Sequence, residues 1–155
     1  MEKTNVMRLL DRQKIKYNAF EYDQSVTEGT LIAEMLGENP EHVFKTLVTV
    51  ANNGAHFVFC APVAETLDLK KAAKAVGVKA ISMLKQKELL PLTGYIHGGC
   101  SPIGMKKPFK TVIHHTAEQF DTIFVSAGRV GKQVELSPTE LCTYINASFA
   151  DVIVD

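Results

Sequence analysis

Lys45 lies inside a run of β-forming residues, 43–51, and period-two counting puts it on one face with Val43, Leu47, Thr49 and Ala51. An ammonium on an apolar strand face costs free energy unless it meets an anion or a polar ligand. Lys45 therefore reads in one of two ways: an edge-strand lysine whose stem snorkels to water, or a fixed cation for a carbonyl, ribose or phosphate oxygen. A second candidate is the run Gly98-Gly99-Cys100-Ser101-Pro102-Ile103-Gly104. Successive amides in such a loop can cradle an anion or a developing oxyanion, and by spacing alone a plain tight loop fits equally well. The run is neither a Walker A loop nor a dinucleotide fingerprint. Ser126-Ala127-Gly128-Arg129-Val130-Gly131 is a further small-residue turn leaving a strand, a place where ligands approach. Cys100 as a nucleophile needs a base, and none of the five histidines is placed to be one. His56, His114 and His115 follow strand spacing, His42 and His97 fall in loops, and no spacing suggests a zinc site, so neither metal nor cofactor is expected.

These residues must be positioned by short, interleaved elements. Apolar residues at helical spacing open the chain and lead into a strand at 15–22. Residues 27–36 read as a helix capped by Thr27 and stopped at Gly37, and Asn39-Pro40 opens a short turn of helix. Strands at 43–51 and 56–62 flank Asn52-Asn53-Gly54, a hairpin signal. Asp68 caps a helix over 69–76 ended by Gly77. A strand at 78–83, a helical turn at 85–90 and a glycine-punctuated irregular stretch at 93–107 follow. Strands are expected at 111–114, 122–126 and 133–136, then a helix opened by the capping box Ser137-Pro138-Thr139-Glu140 and a closing strand at 151–154. No repeat or linker interrupts them. The order predicts one α/β mixed (α+β) domain over 1–155: a curled mixed sheet with a barrel-like core flanked by helices.

Composition sets the outer bounds. A chain of 155 residues with 46% hydrophobic and 22% charged residues is of ordinary globular type. Cys60, Cys100 and Cys142 are too few and too scattered for a disulfide framework, and no stretch has the apolar length of a membrane span, so a cytoplasmic protein is expected. Net charge is zero, but unevenly spread. Residues 1–42 carry −3, whereas residues 70–132 carry +8 through eleven bases that include Lys70, Lys71, Lys106, Lys107, Arg129 and Lys132. That stretch is either a solvated surface or a face for phosphates.

Taken in order and spacing, four motifs resemble one family: Val43-Phe44-Lys45-Thr46-Leu47, Leu67-Asp68-Leu69-Lys70-Lys71, Gly98-Gly99-Cys100-Ser101-Pro102-Ile103-Gly104-Met105-Lys106-Lys107 and Val125-Ser126-Ala127-Gly128. The chain is similar over nearly its whole length to the YbaK/EbsC family of free-standing aminoacyl-tRNA deacylases, related to the editing domain of bacterial prolyl-tRNA synthetase. The resemblance implies hydrolytic proofreading of mischarged tRNA, most often Cys-tRNA(Pro), with Cys-tRNA(Cys) also attacked. It makes Lys45 the family's essential lysine and places Gly98, Gly99 and Ser101 around the aminoacyl ester. Tyr22, Thr46, Cys100 and Gly104 would contact substrate, with Ser126 and Gly128 as the opposite wall, and Lys70, Lys71, Lys106, Lys107 and Arg129 would meet the tRNA backbone. Gln133 departs from the pattern, standing where Cys-specific members carry an aspartate. Cys100 replaces what is often an aliphatic residue, which makes it pocket lining rather than a nucleophile.

No protein nucleophile is then needed, because a substrate cysteine thiol can attack its own ester carbonyl and leave as a cyclic thiolactone. Two other readings share these residues: a deacylase for another small amino acid, such as alanine, that activates water, and a non-catalytic module that tethers tRNA or a synthetase. Aminoacyl-tRNA is the partner the resemblance implies, with prolyl- or cysteinyl-tRNA synthetase as a second.

Overall fold

The structure is a computed structural model describing residues 1–155. Its strands divide between two sheets rather than closing into one barrel, and five α-helices pack around them. The first sheet is antiparallel, in the order β1 (Tyr17–Glu21), β7 (Lys132–Leu136), β6 (Ile123–Ser126). The second runs β4 (Ile81–Met83), β2 (Phe44–Ala51), β3 (His56–Pro62), β5 (Lys110–His114), β8 (Ser148–Ala150). Here β2 pairs antiparallel with β3 and β4, whereas β3–β5 and β5–β8 are parallel. A single parallel bridge between Val43 and Phe124 joins the sheets where β2 begins. A curled sheet is thus present in two pieces, because only one β-bridge joins them at the seam.

Period-two alternation decides which side chains of the first sheet reach the site. Ala19, Val134, Leu136, Ile123 and Val125 face the main core, where Val6, Met7 and Leu10 of helix α1 (Asn5–Arg12) pack against them. The other face carries Phe20, Phe124, Gln133 and Ser126, with Gln133 directly opposite both Phe20 and Ser126. The Phe20 and Phe124 rings meet at 5.4 Å, and Ala33 and Leu36 of helix α2 (Gly29–Leu36) pack on the same small cluster.

Helix α2 begins two residues later than its sequence suggests. Glu28, not Thr27, is the cap: its carboxylate accepts from the Thr30 and Leu31 amides, both at 3.2 Å. The first helical residue must then be glycine, since a Cβ on Gly29 would lie 2.7 Å from Val63 Cβ. Gly29→Ala is expected to push α2 off β3's end and destabilise the fold by ~1–3 kcal/mol, the usual scale of overpacking, read as a lowered urea midpoint.

Helix α3 (Leu69–Val76), capped by Asp68 and ended by Gly77 at φ 74°, packs on Phe59, Ala51 and Ile81 as its pattern predicts. Helix α4 runs Gln86–Thr93, past the expected turn and through Pro91, and α5 runs Pro138–Tyr144 with Ser137 Oγ accepting from the Glu140 amide. The closing strand lies at Ser148–Ala150 instead of 151–154, of which only Ile153 forms a bridge, with Leu67. Residues 151–155 are held by backbone bonds from the Asp68 amide to the Val152 carbonyl and from the Val154 amide to the Thr66 carbonyl, and by Lys71, whose Nζ donates to Asp151, Asp155 and the Ile153 carbonyl at 3.0, 2.7 and 2.8 Å. His114 assists from beneath, its Nδ1 accepting from the Val152 amide. Burial, then the neighbouring His115, keep that imidazole below the ordinary histidine range, so it accepts as the neutral form.

Candidate functional site

A cleft of about 540 Å³ opens between α2, the start of β2 and the glycine loop that follows α4. Its walls come from three sources. Thr27, Glu28 and Gly29 at the head of α2 form one side, Val43 through Leu47 run along the floor, and His97, Gly98 and Cys100 form the other side. Ser126 and Gln133 reach in from the first sheet. The seam between the sheets creates this space, since β2 leaves the first sheet at Val43 and joins the second at Phe44.

Lys45 is half-buried in the floor and lies opposite Ala61 of β3. No carboxylate approaches it within ion-pairing distance. Burial holds its ammonium below the ordinary lysine range, with Glu28 and then Glu65 partly offsetting that loss. β4 pairs with β2 only over Thr49–Ala51, so at Lys45 the strand is hydrogen-bonded to β3 alone and its other edge is unpaired by β4. Glu28 carries its charge easily, as the Thr30 hydroxyl and amide hydrogen bonds hold its carboxyl below the usual range. It thereby ties the head of α2 electrostatically to Lys45.

The glycine loop owes its shape to two close approaches. Gly98 sits at φ 87°, and a Cβ there would come 2.9 Å from Thr27 Cγ2 across the cleft mouth. Gly99 presses on the Arg129–Val130 backbone, where a Cβ would stand 3.0 Å from the Val130 nitrogen, and this contact welds the loop to the turn after β6. Its amide donates to the Ile96 carbonyl, whereas the amides of Gly98 and Cys100 donate to nothing within the chain. Amides without a partner are free to meet an oxyanion.

Five expected site residues lie outside the cleft lining. Ser101 is fully buried behind the loop, where its Oγ accepts from the Ile103 amide and so shapes the turn. Gly99 stands behind it, held against the Arg129–Val130 backbone. Gly104 and Gly128 both pack on Tyr95, against Leu9 and Val6 of α1 respectively. Tyr22 is fixed at the end of β1 by its amide's bond to Gly131, with its hydroxyl buried and unpartnered. The cleft does gather Lys45, Thr46, Gly98, Cys100 and Ser126. Sequence reasoning missed Thr27, Glu28, Gly29, Leu89 and His97 as neighbours of Lys45. The Glu-Gly pair before an apolar run was the one available signal, masked by the better-known capping residue Thr27.

Of the expected backbone-contacting bases, Lys70, Lys106, Lys107 and Arg129 are exposed, and Arg129 borders Gly99. Lys71 is committed to the C-terminal clasp, and Lys132 is buried with its Nζ on the Glu2 carbonyl, so neither belongs to a phosphate-binding face. One group of potential metal ligands does come together, His114, His115 and Asp151. Its His114 Nδ1 is already used by the Val152 amide and its Asp151 by Lys71.

The family model for the aminoacyl-tRNA editing domain matches residues 26–144, which contain the whole cleft. The chain belongs to the aminoacyl-tRNA editing domain family. A protein of Enterococcus faecalis that has been assigned the name Cys-tRNA(Pro)/Cys-tRNA(Cys) deacylase EbsC is 44% identical to this editing domain over 153 residues, covering 97% of this chain and 93% of its own. A solved structure described as a trans-editing enzyme for prolyl-tRNA synthetase superposes with a TM-score of 0.85 at 22% identity, covering all of both chains. A hypothetical protein of known structure gives 0.89 at 21% identity over 97% of this chain and 100% of its own. At such identities the structural likenesses establish the editing fold alone. No helix of the editing domain is long and apolar enough to cross a membrane.

Proposed function

We propose that this editing domain removes cysteine from mischarged tRNA(Pro) in trans, with Cys-tRNA(Cys) as a second substrate, by using the substrate's own thiol. The observation that carries this reading is the cleft itself. It lines one space with a half-dry cation, Lys45, and with Gly98 and Cys100, whose amides have no partner within the chain, while burial raises the pKa of its one thiol, that of Cys100. The substrate named for the Enterococcus relative supports the same choice.

In the proposed step, the cysteine sulfur attacks the ester carbonyl carbon. The S–C bond forms and the C–O bond to the terminal ribose breaks. The thiol proton passes to the ribose oxygen, giving free tRNA and a four-membered thiolactone that water then opens. A strained ring forms only if sulfur and carbonyl are held at attack distance, which is the service a shaped cleft gives. The Gly98 and Cys100 amides stabilise the oxyanion, and Lys45 fixes the carbonyl or ribose oxygen. Alanine and proline esters lack the thiol and survive even when bound. Deacylation of Cys-tRNA(Pro), Cys-tRNA(Cys), Ser-tRNA and Ala-tRNA side by side tests the proposal. Release of serine or alanine at rates comparable to cysteine would replace it with water activation.

The tRNA body is held through phosphates by Lys106, Lys107 and Arg129 near the loop, without base readout, and tRNA identity falls to a synthetase partner. Reversing Lys106 and Lys107 to Glu is expected to weaken binding of every tRNA alike and to flatten the salt dependence of affinity. Filter binding across a salt series checks this, and an unchanged slope would return both lysines to plain solvation.

A further inference from the structure

The proposed step leaves one proton without a carrier. Sulfur and the ribose oxygen are bonded to the same carbon when they exchange, so direct transfer closes a four-membered S–C–O–H ring, whose angle at hydrogen falls below the ~120° a hydrogen bond needs. A group that takes the proton from one and hands it to the other avoids that path. Four side chains that line the cleft are titratable: Glu28, Lys45, His97 and Cys100. The Glu28 carboxylate is occupied as the α2 cap, and the bonds that occupy it, the Thr30 hydroxyl first, hold its carboxyl below the usual range and make it a poor base. Burial pushes the Cys100 thiol up to about 12, so it keeps its own proton. Lys45 serves as an ammonium, which has no lone pair for the incoming proton. That leaves His97.

We infer that His97 is the proton carrier of the cleft: its imidazole accepts the thiol proton as the S–C bond forms and gives it to the ribose oxygen as the C–O bond breaks. This rests on the proposed deacylase reading. Exposure grades the cleft, for His97 is exposed, Lys45 half-buried and Cys100 only 9% exposed. An aminoacyl-tRNA enters amino-acid end first, because its body cannot follow into about 540 Å³. The amino acid therefore goes inward, and the ribose stays toward the exposed end that His97 lines. His97 enters no ion pair. The loop holds its backbone from both sides: the Ile96 carbonyl accepts from the Gly99 amide at 3.0 Å, and Gly98 sits at φ 87° against Thr27 across the mouth. Sulfur and the ribose oxygen share one carbon in the tetrahedral intermediate, so a ring that reaches one reaches the other. Imidazole takes and gives a proton near neutrality, and it leaves this cycle in the form in which it entered. It does not work through Cys100, whose thiol is raised by burial alone.

The test measures single-turnover deacylation of Cys-tRNA(Pro) by wild type, His97→Gln and His97→Ala. Two esters are compared, one on tRNA ending in adenosine and one on tRNA ending in 2′-fluoro-2′-deoxyadenosine, whose more acidic 3′ oxygen leaves with less need of a proton. Each rate is normalised to the uncatalysed hydrolysis of the same ester. Because the side chain is exposed, both variants should melt as wild type does. On the adenosine ester they are expected to lose about a hundredfold, the scale of general acid–base catalysis, with a clearly smaller loss on the fluorinated one. Their affinity for S-methylcysteinyl-tRNA(Pro) should match that of wild type. Losses equal on the two esters, losses matched by weaker binding, or no loss at all would overturn the inference and leave the deacylase reading intact. The comparison reads the leaving oxygen whichever nucleophile attacks, so release of serine or alanine as fast as cysteine revises the nucleophile without touching His97. If wild type releases no amino acid from any tRNA, the deacylase reading fails and the proton carrier falls with it.

Discussion

Lys45→Ala is expected to lower deacylation of Cys-tRNA(Pro) by tenfold or more, about 1.4 kcal/mol of barrier or above, while its melting temperature changes little. The two halves of that expectation have separate grounds. Lys45 has no ion-pair partner within bonding distance, and burial penalises its charge by more than Glu28 and Glu65 offset, so removing it costs the fold little. The same desolvation strengthens whatever it does to an oxygen in the cleft. Lys45→Met, which keeps the stem and removes the charge, should be as inactive as Ala and at least as stable. Lys45→Arg restores charge with a planar group of different reach and should not restore rate. The pH profile carries a further mark: since the Lys45 ammonium titrates below an ordinary lysine, activity that needs its charge falls on the alkaline side earlier than a solvent lysine would allow. Near-normal turnover by Lys45→Ala would remove the lysine from the mechanism.

The features legible in the sequence were those fixed by local chemistry. The Asp68 cap, the Gly37 and Gly77 stops and the Asn52-Asn53-Gly54 turn each depend on a few adjacent residues, and each stands where expected. Lys45 was legible for the same reason, because strand alternation alone marks a charge on an apolar face. What was hidden depends on distant contact. Glu28 rather than Thr27 caps α2, at a point where the chain packs so closely on Val63, far along the sequence, that the next residue has no room for a Cβ. Ser101 looks like a site residue in a glycine loop, yet the loop turns it inward to the Ile103 amide. Lys71 and Lys132 count as surface charges in any composition, and the fold commits both to carbonyls at the chain ends. The division of the strands into two sheets, which creates the cleft, rests on the seam at Val43 and has no local signature.

Cys100→Ala is expected to keep most of its deacylase activity, whereas a tRNA carrying S-methylcysteine should resist the enzyme almost completely while still binding. Burial pushes the Cys100 thiol up to about 12, and Cys60 behind it likewise to about 12. At pH 7 a thiol of that pKa is ionised in roughly one molecule in 10⁵, too few to serve as nucleophile without a base. Cys142 lies elsewhere, its Sγ bonded to the Ala147 carbonyl. The substrate thiol has an ordinary pKa near ~8.5 and carries a few per cent thiolate at neutral pH, roughly a thousandfold more than Cys100. In the proposed step attack comes from the substrate side, and methylating its sulfur removes the nucleophile without emptying the cleft. An enzyme thiolate would make the opposite pattern: Cys100→Ala dead, the methylated ester still cleaved, and a cysteinyl adduct visible as added mass on the protein. Capture of that adduct on Cys100 would overturn substrate-assisted release even though the family membership would stand.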